Sequence, residues 1–404
     1  MTADAIRNPS LIQNRQHSDL RYLLPAQLRC EPSGQIMHEA KMAVTDLIIR
    51  DIKARPVVAP LKRPVRTAVG TIPSAPLVLI DVLTSHGSVG RSYIFAYTAA
   101  ALVPLARLVS EIAEELKGKS IAPALRMREF DRRFRLVGWQ GLIGMAVSGL
   151  DMAFWDAIAR TLDQPIAALL GGAPIALPAY DSYGMVDPKA DEKAILATVE
   201  SGFRAIKIKL GEGDLEVDVE TVRAVRAMIG PAVRLMVDYN QSLDPVEACR
   251  RIARLAEFDL CWVEEPVKAE DLEGHARVRA ATSVPIQTGE NWWFPRDMAK
   301  AVAAGASDFA MLDVMKIGGV TGWQSAMGQA EAASLPISSH IFVEASAHLL
   351  TITPTAHWLE YLDIAGSILA EPQRAIKGTV TAKGPGFGLE WDEGAVARFA
   401  AERS

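Results

Sequence analysis

The second half of the chain repeats one pattern, in which a short apolar run precedes a helix-length amphipathic segment. Each run has five to seven residues, and all but the first contain Val, Ile or Leu, which favours a buried strand. The eight runs cover residues 178–182, 204–210, 234–240, 260–265, 285–290, 309–313, 336–340 and 358–362. Eight strands that alternate with helices favour a closed parallel barrel with the helices outside, an α/β fold of the TIM type.

An open, doubly wound sheet is the alternative arrangement for the same pattern. It would leave exposed sheet edges, and it predicts a glycine-rich turn directly after the first strand. The residues at that point, Asp181-Ser-Tyr-Gly184, are not such a turn. The pattern therefore favours the barrel.

Before the barrel, strands come first and helices follow. Apolar runs at 75–84 and 92–97 flank a short turn, which predicts two antiparallel strands. Helical patterns follow at about 99–117 and at 141–170, and the second is apolar on most of its faces. This order predicts an α+β domain.

These changes of pattern divide the chain into four predicted parts. Residues 1–42 show no sustained period of 2 or 3.6 residues and are predicted to be a flexible extension. Residues 43–173 form the predicted α+β domain and residues 174–362 the predicted barrel. Residues 363–404, rich in Gly and Pro around 383–388, are predicted to return to the first domain.

Composition narrows the possible functions. The chain has 404 residues, 50% of them hydrophobic and 23% charged, which is the balance of a globular protein with a large core. It carries 43 Lys and Arg against 48 Asp and Glu, a net charge of −5. That balance argues against binding to a nucleic-acid backbone or an anionic membrane surface. Chemistry on a small molecule becomes the leading class of function.

The cysteines and the apolar segments indicate a cytoplasmic protein. Cys30, Cys249 and Cys261 show neither metal-site spacing nor a disulfide framework. The apolar stretches are interrupted well before the roughly 18 residues that a membrane span requires, and the N-terminus lacks the succession of a signal peptide. We therefore expect neither secretion nor membrane insertion.

One ionisable side chain stands near the end of each successive predicted strand from the second to the eighth. The seven residues are Lys209, Asp238, Glu264, Glu290, Asp313, His340 and Glu360. A single charged residue most often faces water, but seven in consecutive repeats, each closing an apolar run, do not fit that interpretation. In a parallel barrel these ends form one mouth, where active sites lie.

Three of these residues predict a metal site. Asp238, Glu264 and Glu290 would repel one another at the mouth unless a cation held them. A site made of oxygen ligands alone suits Mg²⁺, before Mn²⁺ or Ca²⁺, and disfavours Zn²⁺.

The remaining groups suggest proton transfer. Strand alternation places Lys207 and Lys209 on one face, and with the apolar face against the helices both point into the barrel. Lys209, beside Lys207 and facing the cation, is expected to have a lowered pKa and to act as a base. Asp313 is expected to orient His340 as a second base. Burial is expected to raise the pKa of Glu360, which could then donate a hydrogen bond to a developing oxyanion.

Taken together, these segments resemble the mandelate racemase group of the enolase superfamily, from about Thr45 to the C-terminus. The likeness is carried by Lys207-Ile-Lys209, Val237-Asp-Tyr-Asn-Gln-Ser242, Val263-Glu-Glu-Pro266, Thr288-Gly-Glu-Asn-Trp292, the run from Asp313 to Trp323, Ser338-Ser-His340 and the run from Pro354 to Glu360. The resemblance implies an α+β capping domain over a modified (β/α)₇β barrel. It also implies Mg²⁺ held by the three carboxylates, and abstraction of the proton α to a carboxylate to give an enediolate stabilised by the metal.

The resemblance also implies roles for individual residues. Lys209 resembles the base for one enantiomer and His340, assisted by Asp313, the base for the other. Lys207 resembles the partner of the substrate carboxylate, and Glu360 the electrophilic acid. The implied substrate contacts are Asn240, Ser182 and Tyr97, together with an apolar wall of Val65, Val69 and Ile72.

Two activities follow from this resemblance. The first is racemisation of a mandelate-like 2-hydroxy acid, favoured by the apolar wall. The second is dehydration of an acid sugar, which Arg66 and Tyr183 keep open as polar groups near that wall. A catalytically silent member of the family ranks last because no catalytic residue is missing. The family further implies a homo-oligomer, and an octamer in particular.

Overall fold

The structure, a computed structural model, describes residues 46–67 and 70–401. The predicted flexible extension, residues 1–42, and the predicted wall residue Val69 lie outside these described ranges.

An antiparallel sheet and four helices form the capping domain. They are β1 (Ile49–Thr67), β2 (Gly70–Thr84), β3 (Val89–Phe95), α1 (Ala99–Glu114), α2 (Pro123–Arg133), α3 (Leu142–Thr161) and α4 (Ile166–Leu169). The strands pair in the order β1-β2-β3, and α3 packs against β3 and α1. The meander buries one continuous apolar cluster, so strands and helices share one core.

The prediction of one helix over 141–170 is wrong, because the helix breaks after Thr161. Asp163 adopts a left-handed conformation with φ +50°. Pro165 has no amide hydrogen and disfavours a helical conformation at the residue before it. A new short helix, α4, starts directly after it.

Among the described residues, α3 is the one helix long and apolar enough to cross a bilayer. In this protein 83% of its apolar window is buried. The helix thus serves as a core element of the fold.

Eight parallel strands and seven intervening helices form the barrel. They are β4 (Ala176–Met185), α5 (Glu192–Glu200), β5 (Ala205–Lys209), α6 (Leu215–Ile229), β6 (Arg234–Asp238), α7 (Pro245–Leu255), β7 (Leu260–Glu264), α8 (Leu272–Ala281), β8 (Ile286–Thr288), α9 (Phe294–Ala304), β9 (Phe309–Asp313), α10 (Gly319–Ala332), β10 (Ile337–His340), α11 (Val343–Thr351) and β11 (Leu359–Tyr361). The strand order around the ring is β10-β9-β8-β7-β6-β5-β4-β11. Backbone hydrogen bonds near its two ends, such as Ser339 N to Trp358 O at 3.0 Å, bring β10 beside β11. The predicted capped (β/α)₇β barrel is confirmed.

Alternation along the strands separates the apolar layer from the barrel interior. Ile206 and Ile208 face outward and pack with Val219 and Val222 of α6. Lys207, between the two isoleucines, points inward and is almost fully buried. The helices therefore cover the outward apolar face of the strands, and the inward face carries a small apolar cluster together with the polar side chains at the mouth.

The C-terminal segment touches both parts of the molecule. It contains β12 (Thr379–Thr381) and α12 (Glu393–Arg398). β12 pairs antiparallel with the amino end of β4. Phe387 N donates to Asp156 of α3 at 2.6 Å, and Trp391 Nε1 donates to Asp81 of β2 at 2.7 Å. The segment thus joins the floor of the barrel to the capping domain.

Candidate active site

The barrel strands place the seven predicted ionisable residues at one mouth. The pairing register sets Lys209, Asp238 and Glu264 side by side at the ends of β5, β6 and β7. It likewise sets Asp313 beside His340 at the ends of β9 and β10. Glu290 lies two residues beyond β8, and Glu360 lies within β11. A ring of charge forms because strands in parallel register end at one level.

Asp238, Glu264 and Glu290 meet closely enough to share one ion. A carboxylate oxygen from each lies within 4.8 Å of the others, and all three side chains are buried. Burial, opposed by Lys207 and reinforced by Asp238 and Glu290, raises the pKa of Glu264 to about 7. This repulsion is what a divalent cation would relieve, and a set of oxygen donors alone fits Mg²⁺.

Lys207 lies beneath this cluster as a buried ammonium. Its Nζ donates to Glu264 Oε1 at 2.5 Å, contacts Glu360 Oε1 at 2.9 Å and lies 3.9 Å from Asp238 Oδ2. Burial alone would lower the pKa of Lys207, but Glu264 and Glu360 raise it well above its ordinary value. Lys207 is therefore a fixed positive charge.

Lys209 contacts the same oxygen of Asp238 more closely, with its Nζ 2.5 Å from Oδ2. Burial and the charge of Lys207 lower the pKa of Lys209, but Asp238 outweighs them and the pKa is raised. The lowering was predicted for a lysine that faces a bound cation, and for that state it remains a prediction. The nearest carboxylate, in direct contact, has a stronger effect than the neighbouring lysine.

His340 is held between two carboxylates. Its Nδ1 donates to Asp313 Oδ2 at 2.7 Å, and its Nε2 lies 3.4 Å from Glu290 Oε2. Asp313 is fixed in turn by the backbone N–H groups of Met315 and Lys316. Burial alone would lower the pKa of His340, but Glu290 and the bond to Asp313 raise it to about 9. The predicted Asp313–His340 pair is thus present as a direct contact.

The pKa of Glu360 is lowered, contrary to the sequence prediction. Burial alone would raise its pKa, but the charges of Lys207 and His340, with the bond donated by Ile341 N at 2.9 Å, lower it to about 2. The expected protonated donor is therefore wrong for this arrangement. Burial raises the pKa of an unpaired carboxyl, whereas Glu360 has two cationic neighbours.

The predicted polar substrate contacts lie at different depths. Asn240 donates to Asp238 through its backbone N–H at 2.7 Å and its Nδ2 at 3.0 Å, so it touches the acidic cluster directly. Ser182 is buried beside Lys207 in the register of β4 and β5. Tyr97, of the capping domain, is 37% exposed, and Lys316 Nζ lies 4.7 Å from its ring centre. All three are on the mouth side of the barrel.

The predicted apolar wall belongs to the β1–β2 hairpin. Val65 is buried, Ile72 is half-buried, and the two are partners in the hairpin register. The backbone of Arg66 crosses so close to Gly184 that a Cβ there would lie 2.4 Å from the Arg66 carbonyl oxygen. The hairpin thereby rests on the carboxyl end of β4, beside the mouth.

The two polar groups near this wall are already bound within the protein. Arg66 pairs with Asp191, and Tyr183 Oη lies 2.7 Å from Thr198 Oγ1 and donates to Ala194 O at 3.0 Å. The guanidinium of Arg63 covers the Tyr183 ring at 3.7 Å. The Tyr183 hydroxyl is thus used within the protein, whereas Arg66, 44% exposed and paired through one of its guanidinium nitrogens, keeps further N–H donors.

A second polar network was not predicted from the sequence. Lys316 Nζ donates to Asn291 Oδ1 at 2.5 Å, and Asn291 Nδ2 donates to Glu265 Oε2 at 2.7 Å and approaches Glu290 Oε1 at 3.4 Å. The sequence does contain one indication of this network, because Glu265 and Asn291 each directly follow a predicted metal ligand.

A capped parallel barrel with a carboxylate cluster, two lysines and an Asp–His pair at its mouth is the arrangement of a metal-binding barrel enzyme. Comparison with known families agrees with this class. The model "Enolase C-terminal domain-like" matches residues 190–395, and "Mandelate racemase / muconate lactonizing enzyme, N-terminal domain" matches residues 49–171. The chain belongs to the mandelate racemase/muconate lactonizing enzyme family of the enolase superfamily.

Individual relatives catalyse several reactions. An enolase from Bradyrhizobium, crystallised with magnesium and mandelic acid, is 58% identical with a TM-score of 0.87, over 89% of this chain and 100% of that one. A 3,6-anhydro-alpha-L-galactonate cycloisomerase from Streptomyces coelicolor is 31% identical over 80% of this chain and 91% of its own length. An L-talarate/galactarate dehydratase from Salmonella typhimurium is 34% identical over 56% of this chain, and the match spans only 58% of that relative.

Proposed function

We propose that the protein is a Mg²⁺-dependent racemase that abstracts the proton α to the carboxylate of a mandelate-like 2-hydroxy acid. The observation that carries the proposal is the placement of two bases at opposite ends of the acidic cluster. Lys209 contacts Asp238 at one end, and His340 faces Glu290 at the other. Inversion needs a proton acceptor on one face of the carbon and a donor on the other.

Asp238, Glu264 and Glu290 are the residues that would hold the ion, with Mn²⁺ as a possible substitute. When bound, Mg²⁺ supplies the positive charge that lowers the energy of the dianionic intermediate formed when the α proton leaves. Asp238 would then divide its charge between the ion and Lys209, which lowers the pKa of Lys209 toward that of a usable base.

Each base has its own atom and its own enantiomer. Lys209 Nζ accepts the α proton of one enantiomer, and His340 Nε2 accepts that of the other. Asp313 binds Nδ1 of the imidazole at 2.7 Å, so Nε2 is the nitrogen left to face the substrate. The base that begins protonated returns a proton to the opposite face.

Lys207 and Glu360 act on the substrate carboxylate. The Lys207 ammonium offers a fixed charge to one carboxylate oxygen. A substrate carboxylate that arrives beside Glu360 adds a negative charge there, which raises the pKa of Glu360 and favours the protonated form that can donate a hydrogen bond. Asn240 and Ser182 are secondary contacts in this proposal.

The substrate class is supported by the surface above the mouth. Val65 and Ile72 offer an apolar face, and the Tyr183 hydroxyl is bound within the protein, which favours an apolar substituent over the hydroxyls of a sugar acid. The relative crystallised with mandelic acid shares 58% of its residues with this chain.

Dehydration of an acid sugar is the second candidate. The match to an L-talarate/galactarate dehydratase supports it. In that reaction one base removes the α proton, and His340 protonates the hydroxyl that leaves from the β carbon. The same residues would therefore serve a different outcome on a different substrate.

Proton NMR in D₂O with each enantiomer of mandelate separates the two candidates. Racemisation predicts loss of the α-proton signal together with the appearance of the opposite enantiomer. Loss of water from an aldonate or aldarate, with no change in mandelate, would support the dehydratase. Silence with both substrate sets would favour a family member without catalysis.

We also propose a cytoplasmic homo-oligomer that acts on a free small-molecule carboxylate. Cys249 and Cys261 are unpaired, which suits a reducing compartment. The oligomer, an octamer by family resemblance, can be measured by light scattering.

A further inference from the structure

Both oxygens of the Glu264 carboxylate accept hydrogen bonds from buried side chains. Oε1 accepts from Lys207 Nζ at 2.5 Å. Oε2 accepts from Trp262 Nε1 at 3.0 Å and from Gln287 Nε2 at 3.1 Å. Glu264, Trp262 and Gln287 have no exposed surface, and Lys207 is 1% exposed.

A carboxylate has about four lone-pair directions, two on each oxygen. Trp262 and Gln287 use the two on Oε2, and Lys207 uses one on Oε1, so a single direction on Oε1 is left. We propose that Trp262 and Gln287 are positioning residues that fix Glu264 as a one-oxygen ligand of the cation. This inference rests on the proposed function, because it requires the ion.

The two donors come from rigid strands. Trp262 precedes Glu264 by two residues on β7, so the two side chains share one face of the strand. Gln287 is the register partner of Glu264 on the neighbouring strand β8. Strand positions hold a metal ligand more accurately than loop positions. The Glu264 carboxylate is therefore held by Trp262 on its own strand and by Gln287 on the neighbouring strand.

The orientation of the Gln287 amide is also constrained. Its Nε2 has a second contact, Met311 Sδ, at 3.5 Å. Its Oε1 is buried without a hydrogen-bond partner among the described residues. Turning the amide over would place that oxygen against the Glu264 carboxylate, where two acceptors repel. An unpaired buried acceptor destabilises the folded protein. The hydrogen bond that the Gln287 amide donates to Glu264 explains why the amide keeps this orientation in spite of that cost.

The direct test is titration of the metal-stripped protein with Mg²⁺ by isothermal calorimetry. Trp262→Phe removes one donor and keeps a ring, and Gln287→Met removes the other and keeps the chain length. Loss of an outer contact to a metal ligand typically weakens metal affinity about 10–100-fold. We expect a Kd increase of about 10-fold in each single variant, at the lower end of that range, and of up to about 100-fold in the double variant.

A matched control removes the same kind of bond elsewhere. Trp323, on the outer helix α10, is fully buried, and its Nε1 donates to Thr353 Oγ1 at 3.0 Å. Trp323→Phe should lower Tm in the absence of metal, as Trp262→Phe does, but should leave the Mg²⁺ Kd within about twofold of the wild-type value. A role in folding alone would affect both tryptophan variants alike.

A second readout separates positioning from folding in the same samples. Saturating Mg²⁺ stabilises the folded protein by an amount that depends on Kd. At one fixed Mg²⁺ concentration, the rise in Tm should be smaller in Gln287→Met than in wild type, and unchanged in Trp323→Phe. If Trp262→Phe does not fold, Gln287→Met carries the test with both readouts.

The possible failures are distinguishable. Wild-type Mg²⁺ affinity in both single variants and in the double variant would overturn this inference and leave the proposed function standing. A wild-type protein that binds no Mg²⁺ would overturn the proposed function, and this inference with it.

Discussion

At the scale of single residues, the proposed bases differ in how their charge is set. Lys209 depends on one carboxylate, Asp238, whereas His340 lies between Glu290 and Asp313. With a cation at the cluster, Lys209 would share Asp238 and His340 would share Glu290 with the ion, whereas Asp313 would remain bound to His340. Loss of either base should therefore stop α-proton exchange only in the enantiomer that this base serves.

Lys209→Ala and His340→Asn should each reduce racemisation by about 10²- to 10⁴-fold, because each removes one proton-transfer group. Each variant should still exchange the α proton of the enantiomer that the remaining base serves. Proton NMR in D₂O, started from each pure enantiomer, measures exchange and inversion separately. A variant of either base that interconverts enantiomers at the wild-type rate would contradict the two-base assignment.

Removal of the metal should abolish turnover. EDTA treatment is expected to eliminate activity and added Mg²⁺ to restore it, because the intermediate would otherwise keep its full charge. Glu264→Gln should need more Mg²⁺ for half-restoration, since it removes one of three ligand charges. Glu220→Gln, an exposed position on α6, is the control and should titrate like wild type. Full turnover in metal-free protein would exclude the site as drawn.

At the scale of elements, a helix of the capping domain binds the start of a barrel helix. Asp151 of α3 accepts from Thr321 N at 2.9 Å and from Thr321 Oγ1 at 2.6 Å in the first turn of α10. The first N–H groups of a helix lack partners within the helix, and this carboxyl satisfies one of them. Glycine at position 319 provides the space for this carboxylate, because a Cβ there would lie 2.4 Å from Asp151 Oδ2.

Burial, opposed by the Thr321 bonds, raises the pKa of Asp151 from 3.8 to about 7. The folded state therefore holds the Asp151 proton more tightly than the unfolded state. The contribution of this proton to the free energy of unfolding is fully present below pH 3.8 and is lost as pH rises through about 7. Relative to Asp151→Asn, wild type should lose about 1.4 kcal/mol of unfolding free energy per pH unit in this range. Urea unfolding of both proteins at pH 5, 6, 7 and 8 measures the difference. A difference independent of pH would mean that Asp151 is ionised in the folded protein.

The barrel strands were predictable because each is a short apolar run that ends in a polar residue. β1 was not, since its 19 residues alternate exposed and buried positions irregularly while they serve both the capping sheet and the barrel mouth. The charge states of Lys209 and Glu360 were also out of reach. They depend on which oppositely charged group comes nearest in three dimensions, and spacing along the chain does not contain that distance.

At the scale of the whole molecule, the structure describes the capping domain and the barrel from residue 46 onward. The sequence expectation for residues 1–42 concerns a part outside the described residues and remains a prediction. A protein that begins at Met42 should fold, assemble and turn over as the full chain does, because the motifs that carry the proposed chemistry all lie later. Size-exclusion mass and kcat/KM of the two proteins provide the comparison. A changed oligomeric state or a loss of activity would show that the first residues are structural.

The C-terminal segment gives the molecule an order of assembly during synthesis. The capping sheet and α3 leave the ribosome first, yet Asp156 and Asp81 receive Phe387 and Trp391 as partners only when nearly the whole chain has been translated. The amino end of β4 likewise gains its partner strand β12 only after residues 379–381 have been translated. A nascent chain that stalls before residue 379 therefore lacks the Phe387 and Trp391 N–H groups that complete Asp156 and Asp81, and the amino end of β4 stays an unpaired edge that can pair with another chain.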